Sequence, residues 1–210
     1  MLATENPKWN NEFAFLHTRP SGVALEGYLF PDTYNFRVDA TPDDVIERLL
    51  ATFQERVTPD MIALADARGM TLHQVITIAS IVEREAVVPD ERPMIASVYL
   101  NRLRIGQKLD ADPTTQYALG FDPEQNKWWR TLTLEDYKYV DPSGYNTYIN
   151  PALPPGPIAS PGLGSIQAAV MPAQSNYTYF LACAGGNGTH QFSATYEEHL
   201  TKYNSCAPGS

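Results

Sequence analysis

The sequence predicts an α+β domain, and three observations carry that expectation. Helix start and stop signals recur at short intervals from Thr41 to Gly106. A stretch rich in Pro, Asp, Asn, Tyr and Trp follows from Leu109 to Pro161. Two short aromatic and apolar runs separated by a glycine-rich turn lie near the end.

Taken in order, Thr41-Pro42-Asp43-Asp44 supplies a capping residue, a proline at the first helical position and an acid at the third, so a helix runs through DVIERLLATFQERV. Thr58-Pro59 repeats the device for DMIALADAR, which Gly69 ends. Thr71 with Gln74 makes a capping box for LHQVITIASIVERE. Pro93 starts MIASVYLNRLR, and Gly106 closes it. The five prolines in NPALPPGPIASPG impose stiff, extended backbone, so residues 109–161 read as a rigid surface and not as helix. A short helix around GSIQAAVM comes next. YTYFLACA and HQFSA suit strands joined by a GGNG turn, and TYEEHLTKY, with Thr195 and Glu198 as capping box, reads as a last helix.

Composition removes several function classes. With 210 residues and 43% hydrophobic content the chain can bury a real core. The longest apolar stretch, Val75 to Val82, is far shorter than the roughly 20 residues of a bilayer span, and the first residues have no signal-peptide pattern. A formal charge of −9 without clustered Lys or Arg argues against nucleic acid and suits a neutral or sugar-like substrate. Cys183 and Cys206 form one bridge or none, which the sequence leaves open. The four histidines make no HExxH pattern, AGGNGTH lacks the ending of a phosphate loop, and DADPTTQY lacks the further ligands of an EF-hand. No metal and no cofactor are expected.

Two acids in IASIVEREAV raise the question of chemistry. On a helix through residues 72–86, Glu83 continues the stripe of Ile76, Ala79 and Ser80. Glu85 lies about 200° round the axis and continues Ile78, Ile81 and Val82. Both therefore border apolar surface, where desolvation raises a carboxyl pKa and suits it to general-acid work. Solvated acids at a helix end would show the same spacing, and periodicity does not separate Glu83 from Glu85.

Six blocks then carry a resemblance: LEGYLFPDTYNF (25–36), ASIVEREA (79–86), ASVYLNRL (96–103), KLDADPTTQYALG (108–120), YNTYINPALPPGPIASPG (145–162) and HQFSATYEEH (190–199). In this order they resemble the YceG-like endolytic murein transglycosylases, also called MltG. The resemblance implies that residues 22–205 are the catalytic domain, with 1–21 the end of an upstream linker or LysM-like region and 206–210 a tail. It also implies a longer protein with an upstream membrane anchor, held at the outer face of the cytoplasmic membrane and working on nascent peptidoglycan strands beside cell-wall synthases.

The implied reaction breaks the β-1,4 bond between N-acetylmuramic acid and N-acetylglucosamine without water, leaving a 1,6-anhydro end. The muramic acid 6-hydroxyl is the attacking group and is already tethered, so one carboxyl can suffice where most glycosidases need two. The family's SIVE block places that acid at Glu83, on a catalytic helix, and leaves Glu85 to structure, with Arg102 as a candidate ion-pair partner. Tyr145, Asn146 and Tyr148 combine flat rings with donors and acceptors suited to a sugar, although tyrosines packed under the proline loop would read alike. Asp112, Thr114 and Gln116 are expected either to hydrogen-bond a sugar or to shape a helix start after Pro113. Asn101 is expected to face the cleft, and His190 to assist the acid or bind sugar. Trp128 and Trp129 are candidates for glycan stacking. A lysozyme-like hydrolase, using Asp112 or Glu85 as second carboxylate, and a non-catalytic peptidoglycan-binding module are the alternatives.

Overall fold

The structure is a computed structural model that describes residues 7–183 and 187–206. Each predicted capping threonine forms its bonds. Thr41 opens α2 (Pro42–Arg56) by accepting from the Asp44 amide at 3.2 Å, while the Asp44 carboxylate accepts from the Thr41 amide at 2.7 Å. Thr58 caps α3 (Pro59–Asp66), and Gly69, at φ +71°, turns the chain toward the next helix. Thr71 and Gln74 cap each other at the start of α4 (Leu72–Glu85). These pairs satisfy amides that a helix start leaves without partners.

From Leu72 to Val82 every residue of α4 except Gln74 is buried, so this helix is the axis of the core. It packs against α5 (Arg92–Arg104) and α7 (Leu163–Val170). Ahead of α2, the short α1 (Pro7–Glu12) and a 3₁₀ turn (Ala14–Thr18) send Trp9, Phe13 and Leu16 into the same core. The first described residues thus pack into one body with those beyond residue 22.

The proline loop is seated on α4 side chain by side chain. The His73 ring bonds the Pro155 carbonyl through Nε2 at 2.9 Å, and Ser80 Oγ accepts from the Ile158 amide at 3.0 Å. Gly27 approaches from the other side, its amide donating to Ser160 Oγ at 3.2 Å. A Cβ on Gly27 would stand 2.5 Å from Pro157, and its φ is +89°, so both space and conformation require glycine.

One expectation is corrected. The stretch 109–161 read as non-helical contains α6 (Asp112–Leu119) and a 3₁₀ turn at Asp136–Lys138. Pro113 falls in the first turn of α6, where its missing N–H costs nothing, so proline starts this helix instead of forbidding it. The strands form as expected but shorter. β1 (Tyr179–Ala182) pairs antiparallel with β2 (His190–Ser193), with Phe180 opposite Phe192 and Ala182 opposite His190. Of the predicted GGNG turn, Asn187 and Gly188 are in a turn and the first two glycines lie outside the described residues. The last helix, α8 (Tyr196–Cys206), packs on both strands, and Cys183 is bonded to Cys206. No described helix is long and apolar enough to cross a membrane.

Candidate active site

The two acids at the end of α4 have different surroundings. Glu83 turns toward α7, where one carboxylate oxygen accepts from Ser165 Oγ at 2.6 Å and from the Gly162 amide at 3.2 Å. Gly162 is the N-cap of α7 and Ser165 lies in its first turn, so Glu83 places negative charge at a helix N-terminus. That arrangement locks α4 to α7.

Glu85 instead lines a cleft of about 240 Å³ with Tyr99, Arg102, Asp112, Tyr148 and His190. Its Oε1 accepts from the Tyr99 hydroxyl at 2.7 Å. It keeps some surface toward the cleft while protein crowds it elsewhere, and this desolvation pushes its carboxyl up to about 7, helped by the nearby charge of Asp112. The Tyr99 hydrogen bond, Arg102 and Arg84 pull in the opposite direction without prevailing. Arg84 itself points out over the Trp129 ring, 4.1 Å from its centroid. A larger hollow of about 630 Å³, among Met70, Leu100, Leu103 and Leu153, is lined by no carboxylate and so offers no acid.

Arg102, considered as a partner for Glu85, bonds backbone instead. Its Nε donates to Thr178 O and one terminal nitrogen to Leu109 O, both at 2.6 Å, with Asp110 at 3.7 Å. It thereby ties α5 to the start of the hairpin and to the turn before α6. That turn delivers Asp112, whose Oδ1 accepts from the Tyr148 hydroxyl at 2.7 Å. His190 enters from the hairpin, its Nδ1 against Glu91 at 2.7 Å.

Of the residues singled out in the sequence, the cleft brings together Glu85, Arg102, Asp112, Tyr148 and His190. The others lie elsewhere. Asn146 has no exposed surface, accepts from Thr115 and donates to Tyr139 O, which fixes the loop. Thr114, equally buried, bonds Thr147 and Ala111 O, so neither side chain reaches a ligand in this conformation. Tyr145 packs on Tyr117 with ring centroids 4.6 Å apart, beside the proline loop. Gln116 donates to Arg130 O, and Asn101 holds the 175–177 backbone through Ser175 O and Tyr177 O. Trp128 is exposed beside Phe121, while Trp129 is half-buried against Tyr117.

Reasoning from sequence passed over Tyr99 and Glu91, and kept Glu85 only as a structural residue or a second carboxylate. The apolar stripe behind Glu85 was the available signal, but a stripe of the same kind lies behind Glu83. Nothing in the sequence pairs Tyr99 with an acid fourteen residues earlier.

Fold and cleft together define a helical α+β domain with one carboxylic acid held near neutrality among tyrosines and a histidine. A family profile described as the YceG-like family matches residues 3–205, and the chain belongs to that family. An endolytic murein transglycosylase of Bacillus subtilis is 37% identical over 83% of this chain and 46% of its own length. One from Streptococcus pneumoniae serotype 2 is 33% identical over 75% of this chain and 28% of its own. The chain thus spans less than half the length of these curated relatives. The crystal structure of a putative YceG-like protein of Listeria monocytogenes superposes with a TM-score of 0.76 at 32% identity, covering 95% of this chain and 64% of that one. The family match spans both Glu83 and Glu85 and does not choose between them.

Proposed function

We propose that this domain is a lytic transglycosylase that cleaves the β-1,4 bond between N-acetylmuramic acid and N-acetylglucosamine in peptidoglycan strands and leaves 1,6-anhydro ends. The names of the relatives support the substrate class, and the observation that carries the mechanism is the desolvated carboxyl of Glu85, which lines the cleft and accepts from the Tyr99 hydroxyl. The acid is Glu85 in this reading, and Glu83 is a structural residue of the α4 to α7 contact. A group that titrates near 7 holds a proton to give at neutral pH and does not hold it too tightly. Glu83 has one oxygen held by two donors at the start of α7, which suits it to that contact.

In the reaction Glu85 gives its proton to the glycosidic oxygen as the bond to the anomeric carbon breaks. The sugar's own 6-hydroxyl then closes on that carbon, its nearness replacing a second enzyme nucleophile. Tyr99 orients Glu85, and Tyr148 fixes Asp112 for hydrogen bonding to the sugar. With Cys183 and Cys206 joined, the domain suits an oxidising setting, in line with action at the outer face of the cytoplasmic membrane. Attachment through an upstream anchor, a role in ending nascent strands, and cooperation with cell-wall synthases complete the reading.

Asp112 favours a second reading, a hydrolase of the same bond, because it places another carboxylate in the cleft. Mass spectrometry of glycan strands digested in ¹⁸O-water decides. Anhydro ends free of ¹⁸O, lost by at least about 100-fold in Glu85→Gln and retained in Glu83→Gln, are expected. Reducing ends carrying ¹⁸O would establish the hydrolase, and activity surviving in Glu85→Gln would remove that residue from the acid's role.

A further inference from the structure

His190 lines the cleft, and Glu91 stands behind it, a pair that the single-acid scheme does not use. Glu91 accepts three times from one residue. Both its oxygens take the backbone amide of His190, at 3.0 and 3.1 Å, and Oε2 takes the ring at Nδ1, at 2.7 Å. With Glu91 as acceptor, the neutral form of the ring carries its proton on Nδ1 and leaves a lone pair on Nε2. The ring is further fixed edge-on against Phe180, centroids 5.3 Å apart, and its side chain is only 5% exposed. Phe180 in turn stands edge-on to Tyr99, the tyrosine that bonds Glu85, at 5.7 Å. Since His190 lines the cleft and Nδ1 is committed, Nε2 is the polar atom the ring can offer there.

The other polar groups of that wall are taken or charged. The Tyr99 and Tyr148 hydroxyls are donated to Glu85 and Asp112, Arg102 can only donate, and Asp110 and Asp112 are carboxyl groups. In the neutral form of the ring, Nε2 is the one nitrogen acceptor among the described side chains that line the cleft. A carboxylate behind a histidine fixes its tautomer and balances the positive charge that forms when the ring accepts a proton.

The geometry points to the Glu91–His190 pair as the base for the muramic acid 6-hydroxyl: His190 is a further catalytic residue and Glu91 its positioning residue. Glu85 protonates the leaving oxygen as the anomeric bond breaks. The 6-oxygen bonds to the anomeric carbon while its hydrogen passes to Nε2, giving an imidazolium beside the Glu91 carboxylate. That proton returns through solvent to the Glu85 carboxylate, and both groups are restored. The inference rests on the transglycosylase reading and deepens it.

Two variants test it. His190→Asn keeps a side-chain donor for Glu91 and deletes Nε2. Glu91→Gln keeps an oxygen for the hairpin amide and removes the balancing charge. With folding checked by melting temperature, both are expected to lose about 100-fold in kcat with little change in KM. Ring closure then competes poorly with water, so a share of ¹⁸O-labelled reducing ends should appear beside the anhydro ends. Products that stay wholly anhydro in both variants overturn the role of the pair, whatever the rate, and leave the transglycosylase reading intact. Wild-type protein that makes no anhydro ends overturns that reading instead.

Discussion

The upward shift of the Glu85 carboxyl has two measurable consequences. With Glu85 as the proposed acid, its protonated form is the active one and kcat/KM should fall as pH rises past about 7. The Tyr99 hydrogen bond lowers the Glu85 value, so Tyr99→Phe should carry this limb to higher pH, and a limb that stays or moves down would dissociate it from Glu85. The same shift appears in stability. In the unfolded chain the group titrates near 4.5, whereas the fold keeps its proton up to about 7. Between those values the native state binds more protons than the unfolded state, so this contribution to stability falls with rising pH and is constant above about 7. Glu85→Gln removes that loss and should raise Tm at pH 8 relative to wild type, the exchange of stability for activity common at catalytic sites. Calorimetry at pH 5 and pH 8 checks it, with a lower Tm for the variant at pH 8 as the contrary result.

Elements set where such a residue points. The end of α4 directs Glu83 to α7 and Glu85 to the cleft because residues two apart lie on nearly opposite faces, and tertiary neighbours then give each face its character. His73 and Ser80, on the Glu83 flank of α4, carry the proline loop, and the loop closes against Gly27. Gly27→Ala would force a Cβ into Pro157 and Ile76 at a φ of +89°. Overpacking and the left-handed strain together should cost about 2–5 kcal/mol. Urea unfolding would reveal this as a lower midpoint, with weakened activity as the loop shifts, and an unchanged midpoint would refute the clash.

Across the whole molecule, chain segments far apart in sequence build the cleft: the end of α4, the middle of α5, the start of α6, the loop before the prolines and the C-terminal hairpin. The hairpin is the outlying member, held by α8, by Arg102 and by the Cys183–Cys206 bond. That bond closes a loop of 23 residues, for which chain entropy gives about 3 kcal/mol. Reduction or Cys206→Ser should therefore lower Tm by about 6–12 °C for a chain of this size. Activity should fall at temperatures where the hairpin loosens, because His190 travels with it. A scan with and without reductant makes the comparison, and equal Tm values would mean that α8 and the hairpin hold without the bond.

The sequence by itself determined the helix starts at Thr41, Thr58 and Thr71, the stiffness of the proline loop, the strand pair and the family, because capping, proline geometry and motif blocks are local. Tertiary structure decided the pairing of Cys183 with Cys206 and the burial of Asn146 and Thr114. It also decided which acid meets the cleft. Two carboxylates two residues apart share composition, propensity and an apolar stripe, and what separates them is whether a helix N-terminus or a desolvated wall of tyrosine and aspartate stands opposite. Those partners come from segments tens of residues away, and only the packed fold brings them within a hydrogen bond.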